Sequence, residues 1–326
     1  MASCHTMIFV HIPKCAGMSI RQMAQKHLAS PHNAISHWRS LYFWMAALQP
    51  EAYGSSLPKY GTTAGVPSNI VWTKMRQVHC EKSRGAGSAY GAISDTNCTG
   101  LPEWRTSNLF VEFHTSVGFE AFHRHVLPNL AAIRAAHQSR GCRLTTATVL
   151  REPRSHVLSY FDYFCVQASS SATRPIRIAG IRENTTTQAA ALETWVRAGA
   201  VDPQLVALAG CKTSYSDGCI RPFATQCNEP RASERARATL ASMDVVGTVD
   251  DLEGFWREVV IRLGLTARPN VTLRHVNARS NHSLRLANLP SRVRGQLDVL
   301  CNSSRQLFAE ARRSGKSRMA ARMIAA

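Results

Sequence analysis

Lys14 stands where the apolar run Met7-Ile-Phe-Val-His-Ile-Pro13 stops, and Gly17 and Ser19 follow it as an apparent helix begins. A strand, a tight loop and a helix N-terminus in that order aim unpaired backbone N–H groups, a helix dipole and one lysine at a common point. Such a point holds a phosphate or a sulfate. A second set lies further on: Arg151 follows the β-branched run Leu144–Leu150, and Ser159 comes eight residues later. An arginine closing a strand, with a hydroxyl two turns into the next helix, offers a donor fork and a hydroxyl to a terminal phosphate. A third set is Glu112 and His114 in Asn108-Leu-Phe-Val-Glu-Phe-His114. Their i, i+2 spacing puts both side chains on one face of a strand, where they can hold or move a proton; the plainer reading is a strand cap and an arginine partner.

A nucleoside-triphosphatase loop reads Gly-x-x-x-x-Gly-Lys-Ser/Thr and needs an aspartate for its Mg²⁺. Here Lys14 precedes the single Gly17, Cys15 takes the Ser/Thr position, and no acidic residue closes a strand as a metal ligand. A lysine loop without a metal signature suits transfer of a group less charged than phosphoryl, and sulfuryl fits. No metal is expected. Cys-x-x-Cys is absent, His11 inside the loop motif reads as structural, and so do His123 and His125, whose i, i+2 placement on a helix makes no metal site.

The elements that must position these residues alternate. Residues 17–29 have helical spacing at Ile20, Met23, Ala24 and Leu28, and Asn108–His114 reads as a buried strand. Phe119–Gln138 reads as a helix broken early by Pro128, and Leu144–Leu150 as a strand running into a helix that ends near Cys165. Leu192–Ala200 and Ala232–Met243 have helical patterns, and Asp244–Val249 that of a short core strand. Asp250 and Asp251 cap a helix over Leu252–Leu263. A last amphipathic helix is predicted from about Leu289 to Arg313, with Arg312–Arg318 as a frayed end. Strand, loop and helix in repetition argue for an α/β fold: a central parallel sheet flanked by helices, with ligands at the carboxyl ends of its strands. Residues 54–105 are polar and Gly/Ser-rich, a variable insertion suited to a substrate-specific surface.

The chain has 326 residues, 44% hydrophobic and 18% charged, enough for one large domain or two small ones, of which one is favoured. Its 39 Lys+Arg against 21 Asp+Glu leave a formal charge of +18, which favours polyanionic partners. Basic–aromatic interleaving and a recognition fold are not evident, so nucleic acid is not the expected partner. No run of about 20 apolar residues exists; the best, Leu41–Leu48, reads as a buried helix. The start lacks a signal peptide's apolar core, so any targeting or anchoring segment is expected to lie outside this chain. Cys211, Cys219 and Cys227 suit disulfide-stapled loops. Acceptor sequons at Asn97, Asn184, Asn270, Asn281 and Asn302 fit a secretory lumen.

Taken together, these residues resemble the Golgi carbohydrate sulfotransferases of the heparan sulfate 2-O- and 6-O-sulfotransferase type. The first loop of that family resembles His11-Ile-Pro-Lys-Cys-Ala-Gly-Met-Ser19, and its 3′-phosphate motif resembles Leu150-Arg-Glu-Pro-Arg-Ser-His-Val-Leu-Ser-Tyr-Phe161. Asp244–Phe255 and the helix near Leu297–Ala311 are similar to its late strand and helices, while residues 40–105 and 168–230 match poorly.

The resemblance implies a P-loop NTPase-like three-layer fold in one domain, 1–326. Residues 7–30 are then the 5′-phosphosulfate loop and helix, 144–165 the 3′-phosphate motif, and 168–230 a variable, Cys-rich acceptor side. It implies 3′-phosphoadenosine 5′-phosphosulfate as co-substrate, a hydroxyl of an acidic or neutral glycan as acceptor, and the Golgi lumen or membrane as location. Lys14, Cys15, Ala16, Gly17, Met18, Ser19, Arg151 and Ser159 would bind the donor. Lys14 would act on the leaving group, and His114 would be the base, with Glu112 as alternative base or as its orienting group. Cys15, Ala16 and Met18 stand where the family commonly has threonine, glycine and threonine, which removes two hydroxyl contacts and leaves the backbone donors. Arg279 or Ser280 would cover the nucleotide. Alternatives are a non-catalytic glycan- or nucleotide-binding relative and a nucleotide kinase.

Overall fold

In the computed structural model the described residues are 4–27, 34–36, 109–114, 118–120, 122–167, 176–178, 184–185, 187–211, 215–216, 219–220, 229–265 and 284–325. The expected insertion at 54–105, the run Leu41–Leu48, Arg279 and Ser280, and the sequons at Asn97, Asn270 and Asn281 lie outside them. Strand β1 (His5–His11) is buried along its whole length. A strand apolar on both faces needs cover on both, which places it mid-sheet. It pairs in parallel with β3 (Leu109–His114) on one side and β4 (Arg143–Leu150) on the other. The three-residue β2 (Ala34–Ser36) extends the sheet beyond β3, and β5 (Val245–Thr248) extends it beyond β4, all parallel, in the order β5-β4-β1-β3-β2.

Alternate residues of β1 build two cores. Met7 and Phe9 pack with Ile20 of α1 (Gly17–His27) and with Phe255 and Trp256 of a later helix, Leu252–Leu263. Ile8 and Val10 face the other way. Their neighbours include Ile133 of α2 (Leu130–Ser139), Val157 of α3 (Pro153–Tyr160), Trp195 of α4 (Gln188–Arg197) and Leu205 of α5 (Pro203–Ala209). After α6 (Glu229–Ser242), the Leu252–Leu263 helix is α7, followed by α8 (Ser291–Leu300) and α9 (Asn302–Ala325). Helices therefore cover both faces of a parallel sheet. The helix after β1 lies on one face and the helix after β4 on the other, which opens a crevice above the carboxyl ends of that strand pair.

Several expectations shift. The segment around Pro128 enters α2 through a π-turn, Phe122–Val126, and a 3-10 turn, Leu127–Asn129, because proline supplies no N–H to a continuing helix. The expected last helix is two, parting at buried Cys301, and helical backbone continues to Ala325 rather than fraying at Arg312. Helix α5 was not expected at all. Asp251 caps α7 through the Gly254 amide, while Asp250 sits in the turn before it. Cys4 and Cys142, just before β1 and β4, form a disulfide at the opposite end of the sheet from the crevice. Cys165 and Cys211 are also disulfide-bonded, and Cys227 lies outside the described residues. Among the described residues no helix is long and apolar enough to cross a membrane.

Candidate anion-binding site

Register puts the three sets of residues on one edge. His11 lies opposite His114, and Val10 opposite Thr148, so the loop after β1 emerges between the ends of β3 and β4. In that loop Lys14 and Ala16 have φ of 67° and 58°, the left-handed region that costs a side-chain-bearing residue roughly 1 kcal/mol or more. The two left-handed residues turn the backbone so that its amides diverge in use. Cys15 donates inward to the Ile12 carbonyl at 3.2 Å, and Ser19 and Ile20 donate to the Ala16 carbonyl at 3.0 and 3.1 Å. The amides of Ala16, Gly17 and Met18 have no acceptor among the described residues. Three successive free amides at a helix N-terminus form an anion nest. Met18 is 41% exposed, whereas the side chains of Cys15 and Ser19 are buried.

Three side chains hold this strained turn. His156 Nε2 donates to the Pro13 carbonyl at 2.7 Å. The Arg151 guanidinium donates to the Lys14 carbonyl at 3.3 Å, and the Cys15 thiol donates to Gln204 Oε1 at 3.6 Å. Burial, assisted by the Arg151 and Lys14 charges, pushes the His156 pKa down to about 4, so the ring is neutral with its proton on Nε2. Burial also pushes the Cys15 thiol up, which keeps it an S–H donor and not a nucleophile. The Lys14 ammonium lies 4.0 Å from the centroid of the Tyr163 ring, itself 56% exposed.

Arg151 and the loop are thus in contact. Ser159 is placed differently: it is 4% exposed, and its buried hydroxyl has no hydrogen-bond partner among the described residues. A ligand would reach that oxygen only after neighbouring atoms move.

The proton-handling pair gains a third member. His11 Nδ1 hydrogen-bonds Glu112 Oε1, and the His11 and His114 rings stand 4.3 Å apart. Burial raises the Glu112 pKa, but the His11 hydrogen bond and the charges of His11, His114 and Arg21 outweigh it, leaving the carboxylate below its usual range. Burial and the His11 charge, with a smaller push from Arg21, take His114 down to about 3 against the pull of Glu112. Arg21 therefore acts on both groups. Gly17 ties this cluster to the nest, because a Cβ there would fall within 1.8 Å of His11 Nε2.

Sequence reading missed His156, Gln204 and Tyr163. His156 lies inside the motif that was read, but its target is 143 residues away. Among the described residues no group of three or more His, Cys, Asp and Glu is placed to hold a metal ion. No protein-family model matches the chain, and no curated protein matches its sequence.

Proposed function

We propose that this chain is a carbohydrate sulfotransferase with a P-loop-like three-layer fold, moving a sulfuryl group from 3′-phosphoadenosine 5′-phosphosulfate to a glycan hydroxyl in the Golgi lumen. The observation that carries the reading is the nest of Ala16, Gly17 and Met18 amides on a lysine loop that Arg151 touches from the adjacent strand end. His114 and Glu112 stand at the strand end on the loop's other side. The fit to the donor comes from those free amides and from two basic groups, Lys14 and Arg151, at one edge of the sheet.

The donor supplies the sulfuryl group and a nucleotide leaving group. The nest and Lys14 stabilise charge on the bridge oxygen as the sulfur–oxygen bond breaks. His114, neutral at its strand end, takes the acceptor proton while the acceptor oxygen bonds to sulfur, and Glu112, fixed by His11, stabilises the imidazolium that results.

Incubation with radiolabelled donor and a panel of desulfated glycans tests this. Transfer to at least one acceptor is expected, reduced about 100-fold or more by Lys14→Ala or His114→Ala. Transfer that survives both changes would sink the assigned roles. The closed Ser159 hydroxyl favours the second reading, a non-catalytic relative; its mark is tight nucleotide binding with no transfer to any acceptor.

A further inference from the structure

We propose that Gln204 is the positioning residue that holds Arg151 and the Lys14–Ala16 turn in one fixed relation, an inference that rests on the donor-site reading above. Gln204 is 0% exposed, and its amide is used on both sides. Its oxygen accepts from the Arg151 N–H at 3.0 Å and from the Cys15 thiol at 3.6 Å, and its nitrogen donates to the Arg151 carbonyl at 3.4 Å.

The need for such a clamp follows from the sheet. The ladder between β1 and β4 ends at Val10 and Thr148, and that between β5 and β4 ends at Thr248 and Leu150. Arg151 therefore lies one residue past the ladder with β5 and three past the ladder with β1, where its peptide has no strand to pair with. The Gln204 amide, acceptor and donor together, stands in for the missing strand. The clamp fixes the Arg151 backbone while its guanidinium reaches the Lys14 carbonyl, so one residue is held at one end and holds the turn at the other. The Cys15 thiol adds a second link from the turn to the same amide.

Gln204 is itself braced. It occupies the first turn of α5, where Asp202 Oδ1 accepts its N–H at 2.9 Å and the Leu205 N–H at 3.3 Å. The other Asp202 oxygen accepts the Ser304 hydroxyl from α9. A path of hydrogen bonds thus runs from the C-terminal helix to both halves of the anion site. It also accounts for the cysteine: the side chain at position 15 points to Gln204 and the core, and the nest is built from backbone, so a hydroxyl there has no anion to meet.

Amide hydrogen exchange on the full chain tests the clamp without relying on activity. In Gln204→Leu, the Arg151 amide and the loop's bonded amides, Cys15, Ser19 and Ile20, are expected to exchange about tenfold faster, with those inside β1 and β3 unchanged. In Cys15→Ala only the loop amides should accelerate, because Gln204 still holds Arg151. That variant keeps the test open if Gln204→Leu does not fold. Unchanged loop exchange in either folded variant overturns the proposal, as does equal acceleration across the whole sheet. Adenosine 3′,5′-bisphosphate should bind Gln204→Leu about tenfold more weakly, with donor KM raised and acceptor KM unaltered. If the wild-type chain fails to bind that nucleotide, the donor reading falls, while the exchange pattern still decides the role of Gln204.

Discussion

His114 faces two opposing demands. Its depressed pKa of about 3 leaves the lone pair free at neutral pH, yet so weak a base gains little by taking a proton. Bound anions resolve the conflict. A negative charge about 4 Å away at an effective dielectric near 20 is worth roughly 4 kcal/mol, or about three pKa units, and part of that would reach His114. Adenosine 3′,5′-bisphosphate is therefore expected to raise the His114 pKa by about one to three units, which imidazole NMR titration with and without nucleotide would read. An unmoved pKa in the bound form would remove His114 from the site. Gly17 makes a second residue-scale prediction. Alanine there must displace the His11 ring and with it the Glu112 hydrogen bond, so Gly17→Ala should cost about 1–3 kcal/mol in denaturant unfolding. An alanine variant as stable as the parent would mean that His11 has room to move, and the link between nest and proton cluster would be lost.

At the scale of elements, α5 has the largest effect for its size. Asp202 caps its first turn and also receives Ser304, so Asp202→Ala loses a cap and leaves the buried Ser304 hydroxyl with the more distant Cys301 carbonyl, 3.4 Å away. A cost of about 2–3 kcal/mol is expected from those two terms, with Asp202→Asn recovering most of it, measured as shifts in denaturant midpoint. An alanine variant within about 0.5 kcal/mol of the parent would show the cap to be dispensable. Yet α5 left almost no trace in the sequence. Its seven residues, Pro-Gln-Leu-Val-Ala-Leu-Ala, are buried on every side, so no polar face marks a helical period; only Asp202 before it and left-handed Gly210 after it signal its ends. Strands β1, β3, β4 and β5 were legible for the opposite reason: they are short apolar or β-branched runs bounded by polar residues. The ends of those strands made Lys14, Arg151 and His114 legible too, since a parallel sheet delivers its loops to one edge. What stayed hidden was everything that holds the turn. The partners of His156 and Gln204 lie 143 and 189 residues away, and no local pattern encodes such contacts. The division of the last helix at Cys301 was hidden likewise, because apolar spacing continues through it.

At the scale of the whole molecule, three largely desolvated histidines contribute to the response to acid. Burial, with a nearby arginine charge adding to it in each case and the His11 charge adding to it at His114, holds His114 at about 3 and His123 and His156 each at about 4. Their unfolded value is about 6.5, so below that pH the unfolded chain binds protons that the folded chain refuses. The sign is then fixed: stability is full above about pH 7 and falls as pH drops through the unfolded value toward 4. Each histidine contributes about 1.4 kcal/mol per pH unit once well below 6.5, and the three sum to roughly 4 kcal/mol per unit. Integrated from neutral pH down to pH 4 the three amount to roughly 9 kcal/mol, comparable with a typical stability of about 5–15 kcal/mol. The formal charge of +18 gives a competing origin for acid lability, since self-repulsion grows as carboxylates are neutralised. Salt separates the two. At about 0.5 M the Debye length is near 4 Å, so long-range repulsion between surface charges is largely screened, whereas the desolvation that depresses a buried imidazole is not. Urea unfolding at pH 7.5, 6.5, 5.5 and 5.0, at low salt and at 0.5 M, should therefore retain most of its pH slope in salt, with two to three protons taken up on unfolding. A slope that vanishes in salt would assign the acid response to the surface field and leave the buried histidines without a part in it.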